Sequence, residues 1–309
     1  MGRPERVEAL IVGAGVAGIA AGIWLKDLGV EALILEESLQ PGGQLHEIHA
    51  PTINYLLARG WDGPRLAAGV VADARAWELR IEVGAPVESI SVRGRSVVRS
   101  GRRFVGKTLI IATGLRRRAL GVPGERELAG HGVSVSANLD RTAYAGRPVV
   151  VVGGGTAGVE DALLCAETGS PVTLLHHTAR FRARSDFLER ARKNRGIRIV
   201  TGARVTRILG NGAVSGVEYR ARGIARPRVL PADAVFVRIG WEPRSELLRQ
   251  QLRMDRSGYV VAGVGGVTSV PRVYAIGDVC SPRCPSIANA EGQGSATAWE
   301  IARLFKRIG

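Results

Sequence analysis

Ala9-Leu10-Ile11-Val12-Gly13-Ala14-Gly15-Val16-Ala17-Gly18 is repeated 140 positions later as Val149-Val150-Val151-Val152-Gly153-Gly154-Gly155-Thr156-Ala157-Gly158. The spacing holds beyond the glycines. Gly29 pairs with Gly169, and the run Leu33-Ile34-Leu35-Glu36 pairs with Thr173-Leu174-Leu175-His176. Each copy reads as a buried strand, a glycine turn, a helix and a second strand, the opening of a βαβ unit. The glycines have separate tasks. The first (Gly13, Gly153) allows the tight bend, and the second (Gly15, Gly155) lets backbone approach a pyrophosphate. The third (Gly18, Gly158) lets helix and strand pack closely, with the helix N-terminus facing the phosphates. One G-x-G-x-x-G is weak evidence, but two in matched context predict an α/β protein with two Rossmann-like dinucleotide-binding domains. Packing alone does not explain why the ends of the second strands also match.

Those ends differ in chemistry. Glu36 stands where a carboxylate accepts the hydroxyls of an adenosine ribose. His176 stands at the same place in the second copy and cannot act as a carboxylate. A neutral or basic residue there is compatible with a 2′-phosphate, and Arg180, Arg182 and Arg184 follow it. The first site therefore suits FAD, and the second leans toward NADP.

The 309 residues suffice for two domains with cores of their own. Apolar residues make up 45% and charged residues 23%, which excludes a disordered chain. No apolar run approaches the roughly 20 residues that cross a bilayer, and the start leads straight into a strand-like run. A cytoplasmic protein without membrane association is expected. The net charge of +15 comes almost wholly from arginine, since only Lys26, Lys107, Lys193 and Lys306 are lysines. Such a surface favours acidic proteins or phosphorylated small molecules. Neither zinc-finger spacing nor a basic helix with a dimer seam occurs, so nucleic acid is not an expected partner. Cys165, Cys280 and Cys284 are too few for a disulfide framework, and the five histidines show no metal-ligand spacing.

Beyond the glycines, the chain resembles the low-molecular-weight thioredoxin reductase family and its relatives, the thioredoxin-reductase-like ferredoxin–NADP reductases. Pro41-Gly42-Gly43-Gln44-Leu45 resembles the family's flavin loop, and Asn54 its FAD-contacting Asn, although Leu56-Leu57 stand where Pro-Gly usually follows. Ile110-Ile111-Ala112-Thr113-Gly114 resembles the strand that closes the first FAD segment. Val273-Tyr274-Ala275-Ile276-Gly277-Asp278-Val279 resembles the last FAD motif, in which Asp278 would bond a ribityl hydroxyl. The final helix, with Ser286 and Ile287 at its approach, would aim its N-terminus at the flavin. The resemblance implies two three-layer ββα domains, with the NAD(P) domain inserted into the FAD domain. FAD would bind 1–117 and 244–309 through Gly13, Gly15, Gly18, Glu36, Gly43, Gln44, Asn54, Ala112, Thr113, Gly114, Asp278, Ser286 and Ile287. NADPH or NADH would bind 118–243 through Gly153, Gly155, Thr156, Gly158, His176 and Arg182. A homodimer is a further family expectation. Hinges would lie near Arg116-Arg117-Arg118 and Gly240-Trp241-Glu242-Pro243, although the arginine triplet reads equally as a solvated charge run.

The chain departs from the family at the redox centre. A thioredoxin reductase needs a C-x-x-C pair beside the flavin, because dithiol exchange is how electrons leave. Here Gly132-Val133-Ser134-Val135-Ser136-Ala137-Asn138-Leu139-Asp140 puts Ser136 and Leu139 at the cysteine positions. Asp140 follows as the family's proton-handling Asp does, with no thiolate to serve. The family's His-Arg-Arg is His176-His177-Thr178, which loses two guanidinium groups and weakens the NADP reading. Cys280 and Cys284 could form a substitute redox pair or be packing residues in a loop over the cofactor. Three functions follow: an NAD(P)H-dependent flavoenzyme passing electrons to an acidic ferredoxin, a flavodoxin or a small molecule; an oxidase or reductase using Cys280 and Cys284; or a non-catalytic FAD-binding sensor or subunit. The stretch from Arg80 to Arg103 shows strands and no chemistry.

Overall fold

The computed structural model describes residues 3–280 and 285–308. The chain forms two compact units, one of Met1–Arg116 with Glu242–Gly309 and the other of Arg117–Trp241. In chain order the first unit begins with β1 (Glu5–Val12), α1 (Val16–Asp27), β2 (Ala32–Leu35), α2 (Gly63–Ala76), β3 (Ile81–Glu82), β4 (Ser89–Ser91), β5 (Ser96–Arg99) and β6 (Arg102–Ile111). The first crossing is β7 (Leu115–Arg117). The second unit then holds β8 (Val133–Ser134), α3 (Ala137–Asp140), β9 (Val149–Val152), α4 (Thr156–Glu167), β10 (Val172–His176), α5 (Ser185–Lys193), β11 (Ile197–Thr201), β12 (Ala203–Gly210), β13 (Val214–Ala221), β14 (Arg228–Pro231) and β15 (Ala234–Val237). The return crossing is β16 (Trp241–Pro243), and β17 (Val273–Ala275) and α6 (Ile287–Leu304) complete the first unit. The two crossings pair with each other as a two-stranded ribbon.

In the first unit the order is β3-β2-β1-β6-β5-β4, with β17 also on β6. The strands β3, β2, β1, β6 and β17 run parallel, while β5 and β4 are antiparallel additions. Side chains alternate across β1. Ala9 and Ile11 enter the core beneath α1 and α6, whereas Leu10 and Val12 enter the one shared with Ile90, Val97, Leu248 and Val260. Both faces are therefore covered over residues 9–12, which is why that part of the strand reads as an unbroken apolar run.

The second unit repeats the plan. Its parallel sheet has the order β11-β10-β9-β15-β8. Val149 and Val151 face the helices, with Val159, Ala162 and Phe236. Val150 and Val152 face the antiparallel sheet β12-β13-β14, with Val217 and Tyr219. Each unit is thus a three-layer Rossmann-type sandwich, and each glycine turn leaves its sheet at the carboxyl end of the strands, where such folds bind ligands. Among the described residues, no helix is long and apolar enough to cross a membrane.

Candidate functional site

In the first turn the three glycines are required for different reasons. Gly13 has φ +106°, and a Cβ there would stand 2.3 Å from the Ala112 carbonyl oxygen; a Cβ on Gly18 would stand 2.0 Å from that of Gly13. Both are packing requirements. A Cβ on Gly15 would meet only Gly43 Cα, at 4.0 Å, so this glycine faces open space. Gly15 also N-caps α1 with no side-chain bond, which leaves the first-turn amides directed at that space. The Gly43 loop is held against the turn by Gly42 N–H donating to Ala14 O at 2.8 Å.

Glu36 is buried, and each carboxylate oxygen accepts one backbone N–H: Oε2 from Ala14 at 2.7 Å and Oε1 from Ser38 at 2.9 Å. Each oxygen keeps a lone pair for a further donor. A cavity of about 420 Å³ opens beside it, lined by Gly13, Glu36, Thr113, Arg116, Arg244 and Leu248 among others. Arg244 reaches Glu37 through one guanidinium nitrogen, while its Nε is buried without a partner among the described residues. A buried orphan donor in a cavity beside a ribose-type carboxylate fits an adenosine diphosphate end of FAD.

The flavin-side residues also converge. Gln44 Nε2 donates to Asp278 Oδ2 at 3.0 Å, and Gly114, at φ +64°, leaves room for Gln44 where a Cβ would stand 3.4 Å from Nε2. Burial pushes the Asp278 carboxyl above its usual range, and the Gln44 bond opposes that. Gly277 N–H donates to Gln293 Oε1 at 2.6 Å, which ties the Asp278 turn to α6. Ser286 caps α6 by accepting from Asn289 N at 3.2 Å, and Ile287 is the first helical residue. Asn289 Nδ2 is a second buried donor without a partner among the described residues. Thr113 Oγ1 donates to Arg244 O at 2.7 Å, and Ala112 lies buried beneath the turn. Asn54 stands exposed on the loop before α2. The protein atoms thus bring Gly13, Gly15, Gly43, Gln44, Gly114 and Asp278 together, and leave Asn54 outside that cluster.

The second turn repeats the geometry. Gly153 has φ +148°, and a Cβ there would stand 2.1 Å from Arg238 O; on Gly158 it would stand 2.8 Å from Gly153 O. Around a Cβ on Gly155 nothing lies within 4 Å. Thr156 begins α4, and its Oγ1 accepts from Arg184 N at 3.1 Å, while Arg182 N donates to Gly154 O at 2.8 Å. Two main-chain bonds therefore fold the arginine-bearing loop back onto the turn. The Arg182 side chain is exposed, and Arg184 pairs with Asp186 at 2.8 Å. His176 is buried with its ring on Gly154, and His177 points to solvent, as alternation along a strand requires.

The segment that lacks the cysteines is bracketed by a buried ion pair. Arg238 follows β15, and its Nε lies 3.1 Å from Asp161 Oδ2 on α4. Arg238 also donates to Val135 O at 2.7 Å, and Asp161 accepts from Ala137 N at 3.0 Å. The pair thus grips the peptides on both sides of Ser136, which is buried; Leu139 is half exposed. Ser134 donates to Asp140 at 2.6 Å. Burial pushes the Asp161 carboxyl up to about 6 against the pull of Arg238. Cys280 is partly buried beside Asp278, and burial first, then that carboxylate, pushes its thiol up to about 12. Cys284 lies outside the described residues.

Residues 7–294 match the family described as pyridine nucleotide-disulphide oxidoreductase. The chain belongs to that family. It is 35% identical to the thioredoxin reductase of Mycolicibacterium smegmatis over 302 residues, 96% of both chains. It is 31% identical over 297 residues to an alkyl hydroperoxide reductase component of Pseudomonas putida, of which it spans only 56%. The crystal structure of T. acidophilum thioredoxin reductase superposes with a TM-score of 0.79 at 31% identity, covering 98% of this chain and 99% of that one. The chain is therefore a thioredoxin-reductase-like flavoprotein oxidoreductase with the two-domain fold of its family.

Within this member of the pyridine nucleotide-disulphide oxidoreductases, three structural features escaped the sequence reading. Arg99, in the stretch that showed no chemistry, is 5% exposed and donates to Val83 O at 2.6 Å, Ala85 O at 2.9 Å and Glu36 O at 3.4 Å. It holds the strand end that carries the carboxylate. Arg244 and the Asp161–Arg238 pair are the others. A charged residue closing the short strand Ser96–Arg99 was the available signal for Arg99, and one directly after the apolar strand Ala234–Val237 for Arg238.

Proposed function

We propose that this protein is an FAD-dependent NAD(P)H oxidoreductase whose electron acceptor is not thioredoxin. The observation that carries the reading is the pair Ser136 and Leu139 at the dithiol positions of an otherwise family-like chain. Neither side chain forms a disulfide, so the exit used by relatives named thioredoxin reductase is closed. Bound FAD supplies hydride acceptance and electron transfer. The chain's residues do the rest. Gly15 and the α1 amides receive the pyrophosphate, Glu36 accepts from the ribose, and Arg244 offers its spare N–H to the adenosine end. Asp278, held by Gln44, accepts from the ribityl chain. On the other side, Gly155 and the α4 amides receive the nicotinamide dinucleotide. The +15 charge supports an acidic carrier such as a ferredoxin or flavodoxin as acceptor. Cys280, with its thiol pushed up to about 12, is a poor exit for electrons at neutral pH.

The test is anaerobic stopped-flow of the yellow protein against NADPH and NADH, followed by addition of thioredoxin, flavodoxin or ferredoxin to the reduced enzyme. Bleaching of the flavin, with reoxidation by a one-electron carrier and none by thioredoxin, is the expected result. Reoxidation by thioredoxin at a family-like rate overturns the choice of acceptor. An unbleached flavin with both nucleotides overturns the enzyme reading.

A further inference from the structure

The antiparallel sheet β12-β13-β14 turns one face to the core of its unit and the other outward. Val205, Ile208, Val217 and Tyr219 point inward. The register then fixes the outward row, because residues directly opposite on antiparallel strands share a face. Arg204 stands opposite Arg220, Arg207 opposite Glu218, and Glu218 opposite Val229. Arg222 continues the row. Its N–H donates to Gly202 O at 2.9 Å, and a Cβ on Gly202 would stand 3.3 Å from that of Arg222.

Like charges directly opposite one another destabilise a strand pair. Here Arg204, Arg220 and Arg222 share one patch, and Glu218, the single acid from Ala203 to Pro231, accepts from Thr206 Oγ1 at 2.5 Å. The same stretch carries six arginines, with Arg226 and Arg228 at the approach to β14, and no lysine. Its net +5 is a third of the chain's +15. All six arginines are exposed, and none of their side chains forms an ion pair or a hydrogen bond among the described residues. The first unit opposes its arginines with acids. Arg99 and Arg102 pair with Glu82, and Arg80 and Arg102 pair with Glu5. An arginine-rich composition therefore does not by itself leave guanidinium groups unopposed.

We propose that this face captures the acidic electron carrier that accepts the flavin's electrons, its guanidinium groups pairing with carboxylates on the carrier's surface. The inference rests on reading the acceptor as such a carrier. Guanidinium groups bind carboxylates through two parallel N–H bonds and hold water less strongly than ammonium groups, which suits an interface. Val229, 56% exposed, adds an apolar contact beside them. A nucleic acid fits less well: Tyr219, the one aromatic residue from Ala203 to Pro231, is 2% exposed, so no ring is offered for base stacking. A positive face of this kind raises the local concentration of an acidic partner and its rate of encounter, an effect that salt removes.

The experiment is isothermal titration calorimetry of oxidised flavodoxin, and in parallel oxidised ferredoxin, into the oxidised FAD-loaded protein at 0.01 M and 0.15 M salt. Charges act over about 30 Å in the first and about 8 Å in the second. Arg204→Ser/Arg220→Ser/Arg222→Ser is expected to weaken binding of the carrier that reoxidises the reduced protein by about tenfold at 0.01 M salt, and by a smaller factor at 0.15 M. Arg93→Ser/Arg253→Ser/Arg256→Ser removes the same charge from exposed positions of the first unit and should weaken it less than about threefold. A triple variant that binds as wild type does, or a control that loses as much, overturns the inference and leaves the acceptor reading standing. Reoxidation of reduced wild type by neither carrier overturns the acceptor reading, and the inference with it. A single-stranded DNA oligonucleotide that binds more tightly than the carrier, and loses that binding in the same variant, overturns the choice of partner. If the triple variant does not fold, Arg220→Ser alone decides by the same comparison, with an expected loss of about threefold at 0.01 M salt.

Discussion

Removing Arg238 should destabilise the second unit by an amount that depends on pH. Asp161 is 1% exposed, and its carboxyl is held at about 6 against an ordinary 3.8, which costs the folded state about 3 kcal/mol above pH 6. In Arg238→Met the carboxyl moves higher still. At pH 7.5 the proton-linked cost is capped at about 5 kcal/mol, because beyond that the group simply takes up a proton. The variant therefore loses up to about 2 kcal/mol by this route, plus about 1–2 kcal/mol for leaving Val135 O without its donor. The sign follows from the raised value. Wild-type stability falls as pH rises from 3.8 to 6 and is flat above, whereas in the variant the fall continues upward. The expected loss is about 3–4 kcal/mol at pH 7.5 and about 1–2 kcal/mol at pH 5.5. Hydrogen exchange on peptides covering β9 and β15 measures it. The double variant Asp161→Asn/Arg238→Met keeps an acceptor for Ala137 N–H and should lose the pH dependence. A loss below about 1 kcal/mol, or one equal at both pH values, refutes the reasoning.

The glycines of the first turn should separate folding from binding. Gly13→Ala forces a Cβ to 2.3 Å from a main-chain oxygen and should prevent accumulation of folded protein, whereas Gly15→Ala should melt within a few degrees of wild-type apoprotein yet bind FAD at least about 100-fold more weakly by fluorescence titration. Full FAD affinity in Gly15→Ala would show that the space above it is not used. Cys280→Ser should leave reduction and reoxidation of the flavin within about twofold, and native Cys280 should react with iodoacetamide at pH 8 far more slowly than a free thiol. Rapid alkylation mapped to Cys280 in the folded protein counts against a raised thiol there.

Much of the fold was readable because its signals are periodic or paired. The apolar runs at 9–12 and 149–152 are buried on both faces, and the glycine turn directly after each marks it as a strand of a parallel sheet. Gly13, Gly15 and Glu36 were readable because their spacing is set by one strand, one turn and one helix. Arg99 and Arg244 were not, since each reaches its task across the fold: Arg99 lies on β5 and supports the end of β2, two strands not adjacent in the sheet. The Asp161–Arg238 pair joins positions 77 residues apart, so no local pattern ties the one to the other. Its position has an informative counterpart. Ala112 O approaches Gly13 as Arg238 O approaches Gly153, so the second copy carries an arginine where the first carries alanine.

The ribbon formed by β7 and β16 has a consequence for how such a chain can be taken apart. Because the entry and exit strands of Arg117–Trp241 run side by side, the ends of that segment are neighbours. A two-residue turn could rejoin Arg116 to Glu242 in a shortened gene, and the excised segment could be expressed with free ends or closed into a ring. The architecture is thus that of a cassette set into a host, each with a hydrophobic core of its own.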